Sequence, residues 1–217
     1  MISKIKAVIF DLDGTLADTL PLCIEAFRHS VQPLINRSVS DSEIISTFGP
    51  SEEGTIMALI PDHYEKGVAD YLYHYERLHP NFPVPFDGIE ELLAILKNRG
   101  VRIAMVTGKG QKSADVSLNH FKMRHFFEVI ETGSPKGSRK AEAIKLLLDG
   151  WSDIEKEEVI YVGDAPSDIT ASRAAGVAVI AAAWAETTEA EKLIELEPDE
   201  VFYTVANFSS WLLRKID

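Results

Sequence analysis

Short apolar, β-branched runs alternate along this chain with segments whose apolar positions recur every three or four residues. Residues 5–10, 101–106, 127–131, 158–162 and 177–183 are near-continuous apolar runs of strand length, as expected of strands buried on both faces. Residues 201–205 give a weaker sixth run. Ile89, Leu92, Leu93 and Leu96 share one helical face, and Gly100 stops that helix. Helical patterns also cover 115–121, 141–148, 169–175, 188–196 and 207–216. Strands alternating with helices predict a parallel sheet wrapped on both faces, a doubly wound α/β core.

One stretch breaks this rhythm. Residues 18–85 carry helical patterns and no strand. Ser40 followed by Glu43 is a capping-box signature, and a further helix covers residues 64–78. The proline-rich segment 80–85 reads as a linker. The chain therefore divides into an α/β core of residues 1–17 and 86–217 and an all-helical insert, residues 18–85, placed after the first strand.

Composition narrows the function classes. A formal net charge of -12 and a pI near 5.0 repel nucleic acid and anionic lipid. They also repel phosphate esters, so a phosphate site here needs a metal ion or a local cluster of donors. The single cysteine, Cys23, excludes an internal disulfide framework and fits a reducing, cytoplasmic setting. The basic-then-apolar start is cut short by Asp11, well before a signal-peptide core is complete. The run 177–185 is too short to span a bilayer.

Chemistry gathers where the predicted strands end. The first strand runs into Asp11-Leu12-Asp13-Gly14-Thr15. Strand alternation puts Asp11 and Asp13 on one side, Gly14 permits a sharp exit, and two neighbouring carboxylates call for a cation or a proton. After Val106 come Thr107-Gly108-Lys109, a hydroxyl and backbone donors at a helix start that suit an anionic oxygen. After Val162 come Gly163-Asp164 and then Asp168, adding carboxylates at a third strand end; Asp168 also reads as a simple helix cap. Lys136, Arg139 and Lys140 form a basic cluster before the helix 141–148. Each segment alone has an ordinary structural explanation. Together they supply a nucleophile, an acid/base, oxyanion donors, a cation and metal ligands at one edge of a sheet.

This ordered set resembles the haloacid dehalogenase superfamily of phosphatases, and the long insert resembles the helical cap of its phosphoglycolate-phosphatase-like members. D-x-D-G-T matches Asp11 to Thr15, the motif Thr matches Thr107, and G-D-x-x-x-D matches Gly163, Asp164 and Asp168. The motif lysine matches Lys140, although Ala141 stands where many relatives have proline, so Lys136 and Arg139 compete for the role. The resemblance implies that Asp11 is a phosphate-accepting nucleophile and Asp13 the acid and then the base. It implies that the Asp11 side chain, the Asp13 backbone carbonyl and Asp164 hold Mg²⁺, with Asp168 outside them. Thr107, Gly108, Lys109 and Lys140 bind the phosphoryl group. Crowding by neighbouring acids is expected to help protonate Asp13.

The insert adds candidates of its own. The loop 47–54 reads in two ways. Phe48 could wall off a leaving group while Glu52 and Glu53 accept hydrogen bonds from it, or Ser51 simply caps a helix whose first turn is acidic. His63, His74 and His79 show no metal-ligand spacing and read as helix-surface residues. Tyr71, Tyr73 and Tyr75 cannot all share one helical face. Cys23 falls on an apolar face, and Trp184 reads as a core-edge residue. The basic residues of the insert are Arg28, Arg37, Lys66 and Arg77, so a highly anionic leaving group would need one of them to face the site.

The expected substrate is a small phosphorylated metabolite, such as phosphoglycolate, a sugar phosphate, a nucleotide or pyrophosphate. A dehalogenase would leave Asp13 and Asp164 superfluous. A phosphomutase would use the same core with hydrolysis suppressed. A phosphate-accepting receiver domain would not place a large insert directly after the first strand.

Overall fold

The computed structural model describes residues 4–82 and 84–216; Pro83 of the predicted linker lies outside them. Six strands form one parallel sheet: β1 (Ala7–Phe10), β2 (Arg102–Val106), β3 (Val129–Glu131), β4 (Val159–Gly163), β5 (Ala178–Ala182) and β6 (Glu200–Phe202). Their spatial order is β3-β2-β1-β4-β5-β6. β1 thus lies between β2 and β4, where the winding reverses, and a ligand crevice opens beyond the carboxyl ends of such strands.

Period-two alternation sorts the side chains of the sheet into two cores. Val8, Phe10, Ile103, Met105, Ile160 and Val162 pack with α5 (Ile89–Asn98), α6 (Gln111–His120) and α10 (Val205–Ile216). Ala7, Ile9, Ala104, Val106, Tyr161 and Val179 pack on the other face with α7 (Lys140–Gly150), α8 (Pro166–Ala175) and α9 (Ala190–Glu195). Burying each larger aliphatic residue contributes about 1.5–3 kcal/mol, so β1, buried on both faces, anchors the site it carries.

Residues 18–82 form no strand among the described residues. α1 (Leu20–Ile35), α2 (Asp41–Ile45), α3 (Glu52–Leu59) and α4 (Tyr64–Leu78) build a separate apolar cluster around Leu22, Phe27, Val31, Ile44, Tyr71 and Tyr75. Ser40 caps α2 with Glu43 completing the capping box. Ser51 stands at the N-cap of α3, but its hydroxyl turns to Glu53 instead of a backbone N–H. Tyr71 and Tyr75, four residues apart, share the buried face of α4, and Tyr73 is exposed.

The structure corrects the pattern reading at several places. The strand predicted at 201–205 runs instead from Glu200 to Phe202, and Val205 opens α10. There it joins Phe208, Leu212 and Ile216 on one buried stripe, so a β-branched residue is claimed by helical spacing. α6 begins four residues before the predicted start, because its polar first turn gave no apolar signal. His79 is not a surface residue. It is buried, with Nε2 3.0 Å from the Ser117 hydroxyl and its ring against His120 and Phe121.

Candidate active site

β1, β2 and β4 end level with one another. Phe10 pairs with Met105 on one side and Val162 on the other, so the residues just past these strands converge. Asp11 follows β1 directly, and its backbone N–H donates to the Val162 carbonyl at 2.9 Å. Its Oδ1 accepts the Leu12 N–H at 2.7 Å, and its Oδ2 accepts from Lys140 Nζ at 2.6 Å. Lys140 is the first residue of α7 and donates again to Asp168 Oδ1 at 2.5 Å. Arg139 pairs instead with Glu131 at 3.1 Å. Asp168 is fully buried. α8 starts at Pro166, before the predicted 169, so Asp168 is the third residue of the helix and not its cap; from there its Oδ2 accepts the N–H of Ala165, the residue before the helix, at 2.9 Å, and its Oδ1 meets Lys140 and, at 3.0 Å, the Tyr161 hydroxyl. Tyr161 was invisible as a site residue in the sequence, where it reads only as part of a buried strand.

Asp164 completes an acidic cluster. Asp11, Asp164 and Asp168 each offer an oxygen within 4.8 Å of the others. Asp164 Oδ1 accepts from the Thr15 hydroxyl at 3.2 Å. Its carboxylate lies against Gly14, whose φ is +75°; a Cβ there would sit 2.1 Å from Asp164 Oδ2. Glycine is therefore required both by the backbone conformation and by the approach of the acid. Burial raises the Asp11 carboxyl to about 6 despite the opposing charge of Lys140. Burial, then the charges of Asp168 and Asp11, raise Asp164 well above the usual carboxylate range. For Lys140, burial opposes the ammonium, but Asp11 and Asp168 outweigh it and its pKa rises. Three acids facing one ammonium leave excess negative charge on oxygen ligands, a donor set that fits a hard divalent cation.

Thr107 is buried just past β2, and its hydroxyl accepts the Lys109 N–H at 3.2 Å. Gly108 passes so close to Gly133 that a Cβ on Gly133 would lie 1.9 Å from the Gly108 carbonyl oxygen. Asp13 turns toward the helical segment. Its Oδ1 accepts from the Thr19 hydroxyl and lies 3.2 Å from Lys109 Nζ. The neighbours of Asp13 Oδ1 are thus a hydroxyl, an ammonium and, at 3.7 Å, the Cys23 thiol, while the crowding of acids expected around it falls on Asp11, Asp164 and Asp168.

These groups floor a cavity of about 800 Å³. Asp11, Thr107, Gly108, Lys140 and Asp164 line its base, and Leu20, Phe27, Ile45, Phe48, Pro50 and Tyr71 line its helical side. The family model of haloacid dehalogenase-like hydrolases matches residues 8–182, a span that includes every one of the base residues.

The chain belongs to the haloacid dehalogenase-like hydrolase family.

As a member of that family it is a hydrolase. It is 31% identical to pyrophosphatase PpaX of Bacillus pumilus over 199 residues, covering 91% of each chain. A haloacid dehalogenase-like family hydrolase from Streptococcus pneumoniae superposes with a TM-score of 0.77 at 26% identity, covering 96% of this chain and 98% of that one. CbbY from Rhodobacter sphaeroides in complex with xylulose-(1,5)bisphosphate shares the fold, with a TM-score of 0.78 at 21% identity over 92% of this chain and 94% of that one.

Between the hydrolase core and the helical segment runs a buried polar seam. Lys109 Nζ lies 3.1 Å from Cys23 Sγ, 3.6 Å from Glu52 Oε1 and 4.4 Å from the centre of the Tyr75 ring, besides its contact with Asp13. Burial opposes its charge, but Asp13 foremost among its neighbours outweighs that and holds its pKa well above the ordinary lysine value. Lys109 lines the cavity, but its ammonium, expected to bind the phosphoryl group, is held by protein groups. Glu52 Oε2 accepts the Gly110 N–H at 2.5 Å, and Oε1 accepts from the Ser113 hydroxyl. Glu52 is thus a helix N-terminal acid, as one reading had it, but its oxygens are taken by core donors and not left for a leaving group. Cys23 is buried, and its thiol is pushed up to about 12, first by burial and then by Asp13, which removes it as a nucleophile.

Proposed function

We propose that this chain is a Mg²⁺-dependent phosphomonoester hydrolase that acts on a small phosphorylated metabolite through an aspartyl-phosphate on Asp11. The observation that carries the reading is the seating of Asp11. Its carboxylate stands at the end of the central strand, paired with Lys140 at 2.6 Å and grouped with Asp164 and Asp168, at the base of a cavity. Kinship with PpaX, named a pyrophosphatase, supports phosphoryl transfer to water.

In this scheme an oxygen of Asp11 attacks phosphorus as the ester P–O bond breaks, and Asp13 gives its proton to the departing alkoxide. Water then attacks the acyl-phosphate, Asp13 takes its proton, and inorganic phosphate leaves with the Asp11 carboxylate restored. The Asp11 and Asp164 carboxylates and the Asp13 carbonyl would hold Mg²⁺, with Asp168 behind them. Bound there, the ion would neutralise charge on the phosphoryl oxygens. Thr107 and the Gly108 backbone would hold a phosphoryl oxygen, and Lys140 would offset the charge of Asp11 against that of the incoming phosphate. Residues 18–85 would act as a cap over a core of residues 1–17 and 86–217, excluding water and contacting the leaving group. Among the described residues no helix is long and apolar enough to cross a membrane, and the lone, buried Cys23 suits a cytoplasmic setting.

The test is release of inorganic phosphate from a panel of phosphate esters, with Mg²⁺ and with excess chelator. Turnover that needs Mg²⁺ and falls at least 10³-fold in Asp11→Asn, with the melting temperature kept, is expected. Normal turnover by Asp11→Asn would overturn the scheme.

A further inference from the structure

The cavity carries more information on the leaving group than its base does. Its lining acids are Asp11, Asp13, Glu52, Asp164 and Glu189, against the bases Lys109, Lys140 and Lys192. Each of these lysines already faces a carboxylate: Lys140 faces Asp11, Lys109 faces Asp13, and Lys192 lies 2.6 Å from Glu189 at the exposed rim. The bases of the helical segment do not help. Arg28 pairs with Asp41, Arg37 with Glu43 and Lys66 with Asp70, all on the exposed surface, and Arg77 lies over the Tyr73 ring. None of them lines the cavity. Asp11, Asp164 and Lys140 belong to the phosphoryl end, where the divalent ion of the proposed scheme would offset the acids; beyond that end, a second phosphate or a carboxylate on the leaving group would find no uncommitted side-chain cation among the described residues.

What this side offers instead is apolar surface and one unmet polar group. Phe27, Ile45, Phe48, Pro50 and Tyr71 form a wall, with Phe27 and Tyr71 rings 4.3 Å apart and Phe27 and Phe48 rings 5.9 Å apart. Ile45 and Phe48, 45% and 38% exposed, are the part of this wall open to an incoming molecule, with Phe27 and Tyr71 buried behind them. Tyr71 is fully buried, and its hydroxyl has no hydrogen-bond partner. A buried hydroxyl left without a partner is costly, and a ligand atom that reaches it would relieve that cost.

Building on the phosphatase reading, we infer that the preferred substrate is a monoester whose leaving group is an uncharged, ring-bearing alcohol with one polar atom able to bond the Tyr71 hydroxyl. Nucleosides and substituted aryl alcohols share this chemistry. It separates this chain from a hydrolase specialised for pyrophosphate or for a bisphosphate. An aromatic wall holds the flat face of such a ring, and the cavity has room for it beyond the phosphoryl group.

The experiment compares kcat/KM with Mg²⁺ for thymidine 5′-monophosphate, phenyl phosphate, phosphoglycolate and pyrophosphate. The two ring monoesters are expected to exceed the two anionic substrates at least tenfold. Phe48→Ala, at an exposed position, is expected to lower the ring monoesters about tenfold relative to pyrophosphate. Ile45→Arg should move the ratio toward pyrophosphate at least tenfold. Tyr71→Phe should keep its melting temperature and lose five- to tenfold on thymidine monophosphate only, since phenyl phosphate has no further polar atom. An equal loss on both would mean a packing role for Tyr71 and count against the hydroxyl contact. Pyrophosphate or phosphoglycolate as the best substrate by tenfold would overturn this inference while leaving the phosphatase reading intact. Absence of turnover on every ester would overturn the phosphatase reading itself.

Discussion

Replacing Glu52 by alanine removes the one carboxylate that serves the Gly110 N–H, the Ser113 hydroxyl and the Lys109 ammonium together. All three donors belong to the segment after β2, and Glu52 belongs to the first turn of α3, so the change cuts one polar link between the helical segment and the core, leaving Lys109–Cys23 and the bonds of Tyr75 and His79 to Ser117. Each buried donor left unpaired costs about 1–3 kcal/mol, and breaking a buried ion pair costs about 3–5 kcal/mol. These figures overlap, and Lys109 keeps Asp13 at 3.2 Å, so the low end applies: about 3–4 kcal/mol in all. For a chain of 217 residues, at ~2–4 °C per kcal/mol, that is a fall in melting temperature of about 10 °C. Glu52→Gln keeps an acceptor oxygen and should recover about half. Glu53→Ala is the control, because Glu53 sits in the same helical turn but bonds only locally to Ser51; it should cost less than about 1 kcal/mol. Calorimetry gives both the midpoint and the number of transitions. A second transition in Glu52→Ala would show the helical segment melting on its own. A shift below about 2 °C, or equal shifts for Glu52→Ala and Glu53→Ala, would refute the claim that this acid joins the two parts. In a double-mutant cycle, Glu52→Ala with Lys109→Met should show coupling of at least ~1 kcal/mol.

Two further outcomes follow from single positions. Gly14→Ala puts a Cβ 2.1 Å from Asp164 Oδ2 on a backbone at φ +75°; Asp164 must move, so Mg²⁺-dependent phosphate release should fall at least 100-fold, and the rise in melting temperature that Mg²⁺ is expected to give the parent protein should be lost. Burial lowers the pKa of His79 to about 4, with His120 adding to the effect, among neighbours that include Tyr75, Ser117 and Phe121. The unfolded chain then binds the proton first, so the contribution of neutral His79 is whole above pH 6.5 and is lost as pH falls toward 4. Between pH 7 and pH 5 this amounts to about 2 kcal/mol, read as the difference in urea midpoints between the parent and His79→Gln; identical pH dependence in the two proteins would sink the argument.

Local pattern was enough to determine the α/β core and to place acids, a hydroxyl and a lysine at its strand ends and helix starts. Strand alternation and strand-end position are properties of a few consecutive residues, and Asp11, Thr107 and Asp164 are each the first or second residue past an apolar run. The choice among Lys136, Arg139 and Lys140 was not local. Only the fold shows which base stands beside Asp11: Lys140 Nζ, at the start of α7, reaches that carboxylate 129 positions earlier in the chain, while Arg139 faces Glu131. The same holds for what pattern missed. Tyr161 looks like any strand residue until Asp168, seven residues on, folds back against it. His79 looks like a helix-end polar residue until α6 covers it. Glu52 reads as a helix-start or leaving-group acid and Lys109 as a phosphoryl binder, because the 56 residues between them carry no sign that α3 will pack against the loop after β2 and pair the two. A charge is read as solvated when nothing nearby in sequence can neutralise it, and only tertiary packing brings the partner that lets it be buried.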